Sequence, residues 1–258
     1  MSKVRTLFSV WLAYMLEYRA ELFFWALAGV LPLILLGVWQ EAASSGAFPL
    51  SRSEFARYFL MVFLVRQLTV VWVIWEFEQD LVQGRLSHKL LRPLDPFWDY
   101  LLAHLAERAA RFPFVALLLL LFFLLYPEAR FAPHFGDLLL GLGLTALAFF
   151  ARFLMQYTFA LLAFWTERAA KLEELWFVLY LFLSGLIAPL EVFPEPVRAL
   201  ALLTPFPYLV YLPAAFLAGQ EVGLFPGLWV ILGWTLAFLL LWRGLWRLGL
   251  RRYSGHGA

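Results

Sequence analysis

Leu138–Trp165 reads LLLGLGLTALAFFARFLMQYTFALLAFW, and Arg152 is the single charge in it. A helix needs roughly 20 apolar residues to cross about 30 Å of hydrocarbon. This stretch is long enough to span a bilayer and too apolar for the surface of a soluble domain. Working outward, five more segments have the same character: Leu22–Trp39, Phe55–Trp75, Phe112–Tyr126, Leu175–Ile187 and Leu228–Trp246. No connection between them is long enough to fold alone. Across the 258 residues, 64% are hydrophobic and 19% aromatic, with a mean hydropathy of +0.79. A soluble globular chain of this length cannot hide so much apolar side chain. The expectation is an all-α, polytopic membrane protein of six transmembrane helices, built as one domain over residues 1–258.

Three connections carry structure of their own. Residues 3–20 (KVRTLFSVWLAYMLEYRA) repeat apolar side chains at i, i+3, i+4 and i+7 among Lys3, Arg5, Glu17 and Arg19, which predicts an interfacial amphipathic helix within 1–21. Residues 76–111 form the most polar long segment. Residues 188–226 are apolar but broken by Pro189, Pro194, Pro196, Pro205, Pro207, Pro213 and Pro226. A re-entrant or surface-lying helical hairpin fits them better than one straight helix.

Lys and Arg in the connections set the orientation. With the N-terminus in the cytoplasm, Lys3, Arg5, Arg19, Arg85, Lys89, Arg92, Arg108, Arg111, Arg168, Lys171, Arg243, Arg247, Arg251 and Arg252 lie inside, against Arg52, Arg57, Arg130 and Arg198 outside. Both termini are therefore expected in the cytoplasm, and 188–226 outside. Met1 onward reads as mature chain, without the h-region and small-residue cleavage site of a secretory signal.

Several chemistries are excluded. Cysteine is absent, which removes disulfides, thiol catalysis and cysteine metal sites. Asparagine is absent too, so no N-glycosylation acceptor exists. His88, His104, His134 and His256 are scattered, and no histidine falls in a predicted span to activate the Ser184-Gly185 pair as a protease. Carboxylates do not pair within the spans for acid–base work. No basic–aromatic stripe points to nucleic acid, and no carboxylate ring or filter sequence points to a channel. A phosphate loop is missing as well: none of Lys3, Lys89 and Lys171 follows a glycine, so any ATP-driven step belongs to another chain.

Inside the spans, Arg66 and Arg152 stand out. A mid-membrane arginine costs roughly 2.5–3.5 kcal/mol on insertion scales, so it faces protein or water and has a partner. The spans offer no carboxylate at comparable depth. Two readings stay open: helix-end carbonyls and neighbouring helices satisfy the guanidinium groups, or Arg66 with Gln67, and Arg152 with Gln156, line a path whose cargo is anionic or zwitterionic.

The polar segment Glu76–Tyr100 reads EFEQDLVQGRLSHKLLRPLDPFWDY. Leu81, Leu86, Leu90, Leu91 and Leu94 alternate with Arg85, His88, Lys89 and Arg92, Gly84 interrupts, and Pro93 and Pro96 end the run. Such a helix either rests on lipid headgroups or docks into a groove on a soluble partner. The run GRLSHKLLRPLD (Gly84–Asp95) and the closing RRYSGHGA (Arg251–Ala258) resemble the corresponding segments of a bacterial family of type-2 ABC exporter permeases, among them viologen-exporter-like permeases. The order of elements is similar over nearly the whole chain.

That resemblance implies a non-catalytic membrane subunit of an ATP-driven exporter in the bacterial inner membrane. Its partners would be two copies of a separate ABC ATPase, a second permease (the same chain or a related one), membrane lipid and a small-molecule substrate. It implies no cofactor on this chain, with ATP and Mg on the ATPase. Gln83, Gly84, Arg85, Leu86, His88, Lys89, Leu90 and Arg92 would form the coupling element. Arg66, Gln67, Arg152, Gln156 and Ser184 would line the path, and Pro189, Glu191 and Phe193 an outer gate. Glu167, Arg168, Lys171, Glu173 and Glu174 form either a minor contact or a solvated turn. Tyr208 and Tyr211 fit an interfacial belt. An ATP-independent secondary transporter of small amphiphiles is the alternative the residues also admit, and a membrane scaffold is the third.

Overall fold

The computed structural model describes residues 3–44, 46, 48–166 and 168–253. Glu167 of the second charged turn, and Ser254–Ala258 with His256 in the closing motif, lie outside the described residues. Thirteen α-helices and three short 3-10 turns carry the described chain, and no strand occurs among those residues. By length and composition five helical segments can cross a membrane: Arg19–Ala43, Arg52–Val82, Pro96–Leu125, Phe135–Phe164 and Leu224–Arg252. The polytopic all-α class stands as expected.

The predicted fifth span, Leu175–Ile187, departs from the expectation of six full-length crossings. Helix α9 covers Lys171–Leu183, 13 residues and about 20 Å at 1.5 Å per residue. The backbone then leaves the helix through Gly185, whose φ of +85° is the left-handed region. An apolar run says only that a segment belongs in hydrocarbon, and a glycine conformation ends this helix short.

Two of the crossings are broken. The first comprises α2 (Arg19–Ala28) and α3 (Leu31–Ala43), and Pro32 at the start of α3 withholds the N–H that would have continued the ladder. The second comprises α4 (Arg52–Thr69) and α5 (Val73–Val82). Between them Val70 is extended, with ψ of 137°, in a β-branched stretch that gives little resistance to unwinding. Serine 51 starts α4 with a capping box: its hydroxyl accepts from Glu54 N–H while Glu54 accepts from Ser51 N–H at 2.8 Å.

The polar segment 76–111 is not a single connection. It divides into the end of α5, a short helix α6 (Arg85–Leu90), and the first half of α7 (Pro96–Leu125). Asp95 caps α7, accepting from Phe97 N–H at 2.8 Å, and Pro96 opens it in the position proline favours. Helix α7 therefore runs 30 residues, about 45 Å, with Pro113 inside it. Glu107, Arg108 and Arg111 made this half look like a loop. In the fold Arg108 and Arg111 are buried against other helices.

Helix α4 forms the centre. It packs against α3, against α8 (Phe135–Ala160), against α7 and against α12 (Tyr211–Leu217). Helix α13 (Leu224–Arg252) covers α8 from the other side. Aromatic rings fill the end near α6: Phe77, Phe97, Tyr100, Phe153, Tyr157, Trp242 and Trp246 meet edge-on or tilted, with Phe153 and Tyr157 stacked. The N-terminal helix α1 (Lys3–Glu17) buries no residue fully and lies along α7. The proline-broken stretch folds as α10 (Glu195–Leu203), α11 (Phe206–Leu209) and α12. Tyr208 and Tyr211 are buried there, so they are core side chains of the hairpin and not an exposed aromatic belt. Trp11 of α1 reaches Asp99 and Tyr253 after α13 reaches Ser87, so α1 and the end of α13 meet the α6 end of the bundle.

Candidate functional site

Gly84 turns the chain into α6 with φ of +71°, a conformation other residues resist. The short helix then has two faces. Leu86 is fully buried. Lys89 points inward, its Nζ 2.8 Å from Asp80 Oδ2 on α5 and 2.9 Å from Asp99 Oδ2 on α7, and 3.7 Å from the centre of the Tyr100 ring. Tyr100 Oη donates to Asp80 Oδ2 at 2.7 Å. Arg85 Nε meets Asp80 Oδ1 at 2.7 Å and donates to Gln83 through Nη1. Arg92 Nη1 lies 3.3 Å from Asp99 Oδ1, which also accepts from Trp11 Nε1 at 3.1 Å. Ser87 Oγ and Tyr253 Oη are hydrogen-bonded at 2.8 Å. One ion-pair cluster thus ties α1, α5, α6 and α7 together.

The other face of α6 is open. Gln83, Arg85, His88, Leu91 and Arg92 are exposed, Leu91 at 84%. Leu90 is half-buried. The eight expected coupling residues therefore sit together, but in two roles. Leu86 and Lys89 anchor, while Gln83, Arg85, His88 and Arg92 face out.

Deeper in the bundle, arginines close the gaps left by the broken helices. Arg66 Nη1 donates to Gly29 O at 3.1 Å, and Gln67 Nε2 to Ala26 O at 2.7 Å; both carbonyls belong to the α2–α3 break. Arg108 donates from Nε to Leu68 O at 2.6 Å, from Nη2 to Val70 O and from Nη1 to His104 O, and stacks on Phe149 with its Cζ 4.0 Å from the ring centre. Arg111 Nη2 donates to Gln67 O at 3.2 Å and pairs with Glu107 at 3.2 Å. His104 Nδ1 donates to Tyr100 O at 2.8 Å while its Nε2 accepts from Trp72 N–H at 3.0 Å. That pair of bonds defines a neutral imidazole carrying its proton on Nδ1. Each freed backbone group in hydrocarbon would otherwise cost several kcal/mol. Helix-end carbonyls are thus the partners of Arg66, and the positive charges of Arg111 and Arg152 lie within electrostatic reach of it.

Arg152 and Gln156 belong to a separate seam between α8 and α9. Arg152 Nη1 donates to Tyr180 Oη at 3.0 Å, and its guanidinium lies over Trp176 and Tyr180. Gln156 Nε2 donates to Glu173 Oε1 at 2.6 Å. Glu173 is buried, so it belongs to this seam and not to a solvated turn. Ser184 is buried at the far end of α9, its carbonyl accepting from Tyr211 N–H at 3.0 Å. Near it Pro189 is buried, Phe193 is half-buried, and Glu191 accepts from Tyr211 Oη. That bond and burial together raise the Tyr211 pKa above its usual value. Tyr58 Oη donates to Gly185 O at 2.7 Å and Trp39 Nε1 to Ile187 O at 2.8 Å, fixing this turn to α4 and α3.

Sequence reasoning missed Asp80, Asp99, Tyr100, His104, Arg108, Arg111, Trp176 and Tyr180. A signal existed for half of them. Asp95-Pro96 is a helix start, and positions 100, 104, 108 and 111 then share one helical face. Among the described residues no group of three His, Cys, Asp or Glu side chains is placed to hold a metal ion.

A bundle with five helical segments long and apolar enough to cross a membrane, holding a short exposed helix at one end, is a polytopic α-helical membrane protein in architecture. The family model of the ABC-2 family transporter proteins matches residues 50–257, and the chain belongs to that family. It is therefore a membrane permease component of an ABC transporter, with an ABC ATPase subunit as the implied partner. Such subunits are generally non-catalytic. No match is found among curated proteins or among solved structures.

Proposed function

We propose that the chain is the permease subunit of an ATP-driven exporter in the bacterial inner membrane, with both termini cytoplasmic. Two copies of the ATPase carry ATP and Mg and engage α6. A second permease, the same chain or a related one, completes the path, and a small amphiphilic or lipid-like compound leaves the cytoplasm by alternating access. The observation that carries this reading is the two-faced α6. Its outward face offers Gln83, Arg85, His88, Leu91 and Arg92 to a partner. Lys89, between Asp80 and Asp99, makes any push on α6 a push on α5 and α7. In the arrangement described, Arg66, Gln67, Arg152, Gln156 and Ser184 are held by partners within the chain, so in this reading they reach the path only when the bundle rearranges, and Pro189, Glu191 and Phe193 form the outer gate.

The first test is mild-detergent affinity purification from the native host with mass spectrometry. A stoichiometric ATPase supports the reading, and recovery of the chain alone across several detergents rejects it. Leu91→Glu, at an exposed position outside the ion-pair cluster, is expected to weaken ATPase capture about tenfold. Lys89→Met is expected to leave capture intact and to lose ATP-driven transport. If both variants behave alike, the division of α6 into contact and anchor fails. For orientation, Arg247→Cys is expected to escape an impermeant thiol reagent added outside intact cells, and Glu221→Cys, in the exposed turn before α13, to react.

A further inference from the structure

The buried residues of α9 are Glu173, Trp176 and Tyr180, each with a polar tip. They share one face of the helix, opposite Arg152 and Gln156, which lie one turn apart on α8. Arg152 holds the outer part of that face through Tyr180 Oη and the two rings, and Gln156 holds Glu173. A guanidinium and a carboxyl group therefore share a buried seam without pairing: among the described residues no ion pair joins Arg152 to Glu173. Each also keeps an unused atom, Arg152 Nε and Glu173 Oε2, both buried and without a hydrogen-bond partner. Gln156 Oε1 and Trp176 Nε1 are unpartnered in the same seam.

A donor and an acceptor of opposite charge left unmet in a low-dielectric interior mark an arrangement with a close competitor. The competitor here needs no backbone movement. Residues four apart on a helix lie about 6 Å from each other, so an arginine at 152 reaches the group now held by Gln156 by turning along α8.

We propose that Arg152 is a two-position latch on α9. In the conformation described it holds Trp176 and Tyr180. In the other it pairs with Glu173 and releases those rings, freeing the middle of α9. Elsewhere on α9 Val178, Leu179 and Phe182 are exposed, Leu181 and Leu183 pack partly against the core, and Trp176 touches Phe206, with ring centres 5.6 Å apart. At its ends α9 is anchored by Ala170 N–H donating to Glu78 at 2.6 Å and by the Gly185 turn, which makes it a strut held at both ends and latched in the middle. Arg152 and Glu173 act here as positioning residues for a moving helix. The role of that motion in export rests on the function proposed above; the latch itself does not.

The chain has no cysteine, so spin labels go only where they are placed. Leu139→Cys on α8 and Leu179→Cys on α9, both exposed, report their separation by pulsed dipolar spectroscopy on the full chain in lipid nanodiscs. The parent is expected to give one dominant distance. Tyr180→Phe removes the hydroxyl that holds Arg152, so a second, longer population is expected. Adding Glu173→Gln removes the competing partner and is expected to restore the single distance. Gln156→Leu, which frees Glu173, is expected to give the second population independently should Tyr180→Phe fail to fold. An unchanged distribution in both release variants, or a second population that survives Glu173→Gln, overturns the latch. ATP added to the co-purified complex is expected to shift the parent toward the second distance. No shift with ATP, while the variants still switch, leaves the latch standing and removes the ATP-driven reading.

Discussion

Helices α4 and α9 are both apolar and belong to the same bundle, yet they are held in opposite ways. Eleven of the 18 residues of α4 are buried, among them Tyr58, Phe59, Leu60, Val62 and Phe63. Three of the 13 residues of α9 are buried, and all three carry polar groups. Dispersion contacts around α4 are numerous, individually small and non-directional, so they fix one arrangement and offer no neighbour to exchange for. Polar contacts along α9 are few and directional, so losing one leaves a particular buried group without its partner. In the proposed latch, α4 is the part that stays and α9 the part that moves.

Truncation at the centre of α4 is the most damaging way to probe the contrast. Phe59→Ala is expected to cost about 3–5 kcal/mol, because it leaves a cavity among helices that pack on every side. Leu175→Ala, 65% exposed on α9, is expected to change stability by under about 0.5 kcal/mol. Thermal unfolding of the purified protein in detergent compares the two, and equal shifts would end the distinction between fixed and movable helices.

Lys89→Met comes next. It leaves Asp80 and Asp99 facing each other without their shared cation. Loss of one partner in a buried cluster costs roughly 3–5 kcal/mol, and the residual exposure of Lys89, 15%, brings the expectation down to about 2–3 kcal/mol. Lys89→Arg is expected to recover part of it. A neutral outcome for Lys89→Met would show that α6 is not anchored through this cluster. Gly185→Ala places a Cβ 2.6 Å from Tyr58 Oη and 2.8 Å from Tyr211 Cβ, at a φ of +85°. A loss of about 1–3 kcal/mol is expected, with α9 detached from α4 at its outer end, seen as faster proteolysis after Leu183. A small effect is also expected at Lys171–Glu174, a pair at 2.5 Å but 63% and 66% exposed. Glu174→Ala is expected to move stability by less than about 1 kcal/mol, and a larger loss would mean that the entrance to α9 is fixed more firmly than its middle.

Much of the candidate site was legible in the residues. Gly84, the alternating leucines and cations after it, and the prolines that stop them mark α6 and its length. Arg66 and Arg152 were recognisable as charges that must find partners inside the bundle. Their partners were not recognisable, because backbone carbonyls carry no sequence signature and become available only where a helix breaks. The α2–α3 break supplies Arg66 with Gly29 O, and the α4–α5 break supplies Arg108 with Leu68 O and Val70 O. The polar half of α7 was misjudged for a related reason. Glu107, Arg108 and Arg111 raise the polarity of a window without revealing that other helices satisfy them. Tyr208 and Tyr211 read as interfacial because tyrosines favour that boundary, whereas the hairpin folds them inward.

By itself the sequence determined that this protein lives in a membrane, that it is helical, that its prolines break the segment before the last span, and that it carries no phosphate loop for ATP. Those properties follow from side-chain transfer energies and backbone sterics, which act residue by residue. Only the tertiary structure decided that Lys89 faces Asp80 and Asp99 rather than a partner, that arginines seal the broken spans, and that Arg152 and Glu173 share a seam without meeting. Such properties depend on which groups from distant parts of the chain lie within hydrogen-bonding reach of one another. In hydrocarbon, where water cannot stand in for a missing partner, that proximity sets the energy of every polar group.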